Sequence, residues 1–170
     1  ISKTGIKFIY VHARNAILSG ISPQGNRTIP PLNYNFVKKI KSKYPNITFI
    51  LNGGINNLNE AESLLKEFDG VMLGRLIKNN PFILKEVDKK IFKEKDKLID
   101  ESIINNYFEY IKPKLGFESI FRLLSPLLNI FFSVPHSKTY KSKINDYMKD
   151  QKINLIEDLL IKFVSERNLS

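Results

Sequence analysis

Three short runs rich in apolar and β-branched residues, Phe8-Ile9-Tyr10-Val11, Thr48-Phe49-Ile50-Leu51 and Val71-Met72-Leu73, each precede a loop and then an amphipathic segment. The amphipathic segments run near Asn35 to Lys43, Asn59 to Lys66 and Pro81 to Lys90, and each is expected to be a helix. Strands that alternate with helices are joined by right-handed crossovers, so the strands must be parallel. Three parallel strands leave two unpaired edges and uncovered apolar faces, which is unusual for an isolated domain. The pattern is therefore read as the second half of a (β/α)8 TIM barrel, about its last three βα units. The chain also opens on Ile1, already running up to a strand, as a fragment would.

After residue 92 the strand signal stops. Lys93-Glu94-Lys95-Asp96-Lys97 alternates opposite charges on a polar run and reads as a linker. Leu98 to Ile111, Leu115 to Phe132, Ser137 to Met148 and Ile153 to Val164 then carry apolar residues at spacings of three and four, with Pro113 and Pro135 between them. Four helices forming a small all-α bundle are expected. The predicted division is a barrel portion over 1–92, a linker over 93–97 and a helical domain over 98–170.

Two motifs lie directly behind predicted strands, Asn52-Gly53-Gly54 and Gly74-Arg75. Glycine lets backbone amides approach a phosphate, and an arginine adds a charged fork that matches its oxygens. Either motif alone is also an ordinary turn. Their common register behind parallel strands is what makes them two corners of one phosphate site, since binding groups gather at the C-terminal ends of such strands. His12 and Arg14 close the first strand at the same level, where a histidine suits a cofactor phosphate or ring and an arginine a substrate anion.

The loop Ser22-Pro23-Gln24-Gly25-Asn26-Arg27-Thr28-Ile29-Pro30-Pro31 is long for a βα connection, a length that marks either a functional loop or a floppy insertion. In the helical region Arg122, Lys138 and Lys141 are candidate anion contacts. The last two stand three apart on one helix face, where like charges repel unless an anion is near. Tyr140 between them suits either a stacked base or a core position.

The chain has no cysteine, which excludes disulfides, zinc-thiolate sites and a thiol nucleophile within these residues. No run approaches the roughly twenty apolar residues that span a bilayer, so a cytoplasmic protein without membrane contact is expected. A net charge of +10 fits a polyanionic partner. It equally fits a compositional bias, with 22 Lys, 5 Arg and 17 Asn.

The string Val11-His12-Ala13-Arg14-Asn15-Ala16, the loop Ser22 to Pro31 with Leu32, the run Asn52-Gly53-Gly54-Ile55, and Asp69-Gly70-Val71-Met72-Leu73-Gly74-Arg75 resemble the tRNA-dihydrouridine synthases. The likeness is to the DusA branch, which acts on positions 20 and 20a of the D-loop, and to its C-terminal portion. It runs from about Lys7 through Phe92 and more loosely through Lys143.

The resemblance implies an FMN-containing barrel followed by a helical tRNA-binding domain, with NADPH as reductant. It implies FMN binding by His12, Asn52, Gly53, Gly54, Gly74 and Arg75. It assigns tRNA contacts to Gln24, Arg27, Lys138 and Lys141, with Arg14 and Arg122 as further candidates. Gln24, Lys138 and Lys141 stand where the branch commonly has Lys, Arg and Arg, which weakens bidentate phosphate recognition at the last two.

The family's proton-donating cysteine belongs to the first half of the barrel, so no catalytic residue and no metal site is expected within these residues, and the fragment is expected to be inactive alone. The intact protein is expected to be a monomer with no protein partner. Two other readings stay open: a different FMN barrel oxidoreductase acting on a small molecule, and a non-catalytic RNA-binding remnant.

Overall fold

The computed structural model describes residues 4–95, 100–130 and 132–168. The chain divides into two compact units, Ile1–Leu76 and Ile77–Ser170. In the first, β1 (Phe8–His12), β2 (Thr48–Asn52) and β3 (Gly70–Met72) form a parallel sheet in the order β1-β2-β3. The register sets His12 beside Asn52 and Asn52 beside Met72. The three strands therefore end level.

Helices α1 (Tyr34–Lys43) and α2 (Leu58–Leu65) supply the crossovers. Each begins on an asparagine cap, with Asn33 accepting from the Phe36 amide and Asn57 from the Glu60 amide, both at 2.9 Å. Such caps satisfy amides that have no partner within the helix. Because side chains alternate along a strand, Phe49 and Leu51 of β2 point to one face, where they are buried with Val37, Ile55, Ala61, Leu64 and Phe68. Each large side chain so buried contributes about 1.5 to 3 kcal/mol. The opposite face carries Phe8 and Tyr10, 64% and 65% exposed, and Met72.

At the N-terminal ends of β2 and β3 an ionic knot ties α1 to the sheet. Asp69 accepts from the Phe49 amide at 2.8 Å and pairs with Lys41 at 2.8 Å, while Lys38 pairs with Glu67. The Lys41 bond, and after it the Phe49 amide, hold the Asp69 carboxyl below its ordinary value of 3.8. A depressed value means that the unfolded chain takes up this proton first. Its stabilisation is complete above the ordinary value and is lost as the pH falls through the folded one. Urea midpoints followed on acidification should show Asp69→Asn less stable at neutral pH, with the gap closing below about pH 4. An undiminished gap at low pH would assign the variant's defect to something other than this charge.

In the second unit α5 (Glu101–Ile111), α6 (Ile120–Leu124), α7 (Ser137–Lys149) and α8 (Ile153–Asn168) surround one core of Ile104, Phe108, Ile111, Leu124, Leu127, Ile144, Met148, Ile156 and Leu160. Tyr140 lies edge-on to Phe163 with centroids 4.6 Å apart, and its hydroxyl bonds Glu166 at 2.8 Å. It is a packing residue, not an open stacking platform.

Two expectations about elements are corrected. The helix expected over Leu115 to Phe132 is broken into α6 flanked by 3₁₀ turns at Lys112–Lys114 and Leu127–Asn129. Gly116 at φ +91° turns the chain before it, and Pro126, which lacks an amide hydrogen, interrupts it. Gly74-Arg75, expected as a loop corner, opens a short helix, α3 (Gly74–Asn79), ahead of α4 (Ile83–Lys90). Asp96 and Lys97 of the expected linker, Leu98 of the expected first bundle helix, and Phe131 lie outside the described residues.

Candidate functional site

The level strand ends of the first unit collect His12, Asn52 and, just beyond β3, Arg75 from the polar residues singled out in the sequence. His12 and Asn52 are in-register neighbours, and the chain leaves β2 through Gly53 and Gly54 at φ +113° and +77°. These conformations are strained for any residue with a Cβ. Space gives a second reason for glycine. A Cβ on Gly53 would stand 2.7 Å from His12 Nδ1, and one on Gly54 would stand 2.2 Å from Leu32 Cδ1. Among the described residues neither glycine amide has an acceptor. Amides without a partner in a glycine turn are available to an anion that approaches the backbone.

His12 Nδ1 lies 3.3 Å from the Asn52 carbonyl oxygen, which can only accept, so Nδ1 carries the hydrogen. Its Nε2 is buried without a partner among the described residues. With the hydrogen on Nδ1, the neutral ring offers Nε2 as an acceptor, so this buried orphan atom fits a donor group of a ligand, while the two amides fit an acceptor. Gly74 and Arg75 follow β3 at the same end; both are exposed, and a Cβ on Gly74 would meet nothing within 4 Å.

The long loop after β1 is folded, not floppy. Asn26 bonds both the amide and the carbonyl of Ile17, at 2.7 and 2.8 Å. Arg27 Nε donates to the Pro23 carbonyl at 3.2 Å, while Gln24 and Arg27 stay exposed at the ends of a 3₁₀ turn over Gly25–Arg27. The loop is closed at its base by the Asn33 amide donating to the Ala13 carbonyl at 2.8 Å and by an Arg14–Leu32 bridge. Arg14 donates from Nη1 to the Pro30 carbonyl, and its Nε is buried. Through Nη1 Arg14 holds the loop, while Nε has no partner among the described residues.

Tyr34, which sequence reasoning passed over, stands behind the glycine pair. Its hydroxyl donates to the Gly53 carbonyl at 2.7 Å. Burial, and after it the Glu60 carboxylate, push that hydroxyl above its ordinary value of 10.0, so it is a proton-bearing donor at neutral pH. The one sequence signal was its place, directly after the Pro30-Pro31-Leu32-Asn33 run that ends the loop.

In the second unit Lys138 and Lys141 occupy the first two turns of α7, Lys138 exposed and Lys141 half-buried. No ion pair engages either among the described residues. Arg122 is exposed and pairs with Glu118 at 3.0 Å one helical turn away. No group of three or more metal-ligating side chains occurs among the described residues, and no helix there is long and apolar enough to cross a membrane.

A family model described as "Dihydrouridine synthase (Dus)" matches residues 1–166. The chain is 35% identical over 161 residues to a tRNA-dihydrouridine(20/20a) synthase of Shigella flexneri, covering 92% of this chain and 47% of that protein. It is 34% identical over 164 residues to the enzyme of that name from Vibrio cholerae, covering 94% and 50% respectively. Against the one from Pseudomonas putida it is 47% identical over 92 residues, 54% of this chain and 27% of the relative. The chain spans about half the length of the first two of these relatives. On the breadth of these matches, the chain belongs to the dihydrouridine synthase family.

Proposed function

We propose that the protein to which this chain belongs reduces uridine to 5,6-dihydrouridine in the tRNA D-loop, at positions 20 and 20a, with FMN as cofactor and NADPH as reductant. The observation that carries the cofactor half is the row of groups at the strand ends: the buried, unpartnered Nε2 of His12 beside the free amides of Gly53 and Gly54. A phosphorylated flavin offers both kinds of partner, an anion for the two amides and a hydroxyl or ring N–H donor for Nε2. His12, Asn52, Gly53, Gly54, Gly74 and Arg75 are assigned to hold it. FMN, when bound, supplies hydride transfer; the protein supplies orientation and electrostatics.

The apolar sheet face with Phe8, Tyr10 and Met72 supports reading the sheet as part of a closed TIM barrel. In that reading residues 1–92 serve the cofactor side, 93–97 link, and 98–170 serve tRNA, with residues 77–92 packing within the helical unit. Lacking cysteine, these 170 residues bind and orient but do not protonate the uracil carbon, and alone they are inactive. The site is assigned to a monomeric cytoplasmic enzyme.

Gln24, Arg27, Lys138 and Lys141 are the proposed tRNA contacts, with Arg122 as a further one and Arg14 acting through the loop it closes. Exposure of Lys138 and Arg122 favours the RNA reading over a small-molecule substrate, which would need no such surface. Dihydrouridine mapping in cells lacking the full gene tests the activity: loss at positions 20 and 20a is expected, and an unchanged map would overturn it. In the full-length protein, Lys138→Ala with Lys141→Ala should weaken tRNA binding and lower the salt slope by up to about two charges, without releasing flavin. An unaltered slope would remove both lysines from the interface.

A further inference from the structure

We propose that Tyr34 is a positioning residue for the phosphate end of the flavin, acting through the Gly53–Gly54 peptide. This rests on the FMN reading above and deepens it. The peptide unit is planar and trans, so its carbonyl and the following amide point in opposite directions. The Tyr34 hydroxyl holds the Gly53 carbonyl at 2.7 Å. The Gly54 amide is thereby directed away from Tyr34, with no acceptor of its own among the described residues.

A glycine pair needs such a hold. Without Cβ atoms, Gly53 and Gly54 can exchange between many backbone conformations, and only some of them present both amides to one anion. Nothing else described bonds the Gly53 carbonyl. Tyr34 is itself fixed, because it opens α1 directly after the Asn33 cap, and the Asn33 amide is tied to the Ala13 carbonyl. Leu32 adds a wall, since its methyl groups stand where a Cβ on Gly54 would be. Thus the segment that closes the substrate loop also sets the angle of the cofactor turn.

The role is specific to phosphate, and that gives the test. In the full-length protein, Tyr34→Phe keeps the ring packing and removes only the hydroxyl. Its Kd for FMN is expected to rise roughly five- to tenfold, the size of one lost hydrogen bond. Its Kd for riboflavin, which lacks the phosphate, is expected to stay at the wild-type value. Far-UV circular dichroism and the thermal midpoint of the flavin-free protein check that the fold survives. An unchanged FMN Kd overturns the role of Tyr34, and so does an equal rise for both flavins, which marks a general loosening. A wild-type protein that binds neither flavin overturns the cofactor reading itself, a result distinct from either.

Discussion

Gly53→Ala is expected to lower the stability of the sheet unit by about 2 to 3 kcal/mol and to abolish flavin retention by the full-length protein. At φ +113° a side chain is strained regardless of space, and the added carbon would stand 2.7 Å from Nδ1 and 2.8 Å from Cε1 of His12. That contact is with a ring held by the Asn52 carbonyl, not with the free end of a flexible chain. Relief requires either the turn or His12 to move, and both belong to the proposed cofactor site. Gly74→Ala is the control for stability alone, since a Cβ there meets nothing within 4 Å. Urea unfolding and flavin absorbance of the purified proteins read the two effects. Equal stability of the Gly53→Ala and Gly74→Ala variants would show that the turn tolerates a side chain.

Phe108→Ala should have the largest effect on stability, a loss of about 3 to 5 kcal/mol. Phe108 is wholly buried and belongs to the core that side chains from α5, α6, α7 and α8 share. Ile144 and Met148 seat α7 in that same core, and α7 presents Lys138 and Lys141. The cavity therefore loosens the helix that carries the proposed RNA contacts, and tRNA affinity should fall with stability. Lys138→Ala with Lys141→Ala should lower affinity while leaving the unfolding midpoint within about 0.5 kcal/mol of wild type. A Phe108→Ala protein unfolding at the wild-type midpoint would contradict the assignment of one shared core.

Much of the framework was legible in local pattern. The three strands, the helices over Tyr34–Lys43 and Leu58–Leu65, and the last two helices of the chain follow from apolar periodicity, which is a property of neighbouring residues. Asn52-Gly53-Gly54 was legible as a special backbone because glycine is needed wherever φ is positive. Leu115 to Phe132 misled because its apolar spacing suits a long helix. Gly116 and Pro126 decide the backbone there, and the same apolar residues pack from shorter pieces.

The roles of Arg14, Tyr140 and Tyr34 were not legible. Sequence supplies an arginine or a tyrosine, but the partner that defines its role lies far along the chain: Pro30 for Arg14, Glu166 and Phe163 for Tyr140, Gly53 for Tyr34. Lys41 and Asp69, 28 positions apart, meet only because α1 packs back over the strands.

By itself the sequence determined a parallel βα arrangement followed by helices, the two glycine motifs behind their strands and the absence of a thiol, because each is set by residue type and local spacing. Tertiary structure alone decided that His12 and Asn52 share a register, that the loop after β1 is closed on Arg14, and that Tyr34 holds the glycine turn. Those contacts join residues 16 to 40 positions apart, and only packing sets their distances.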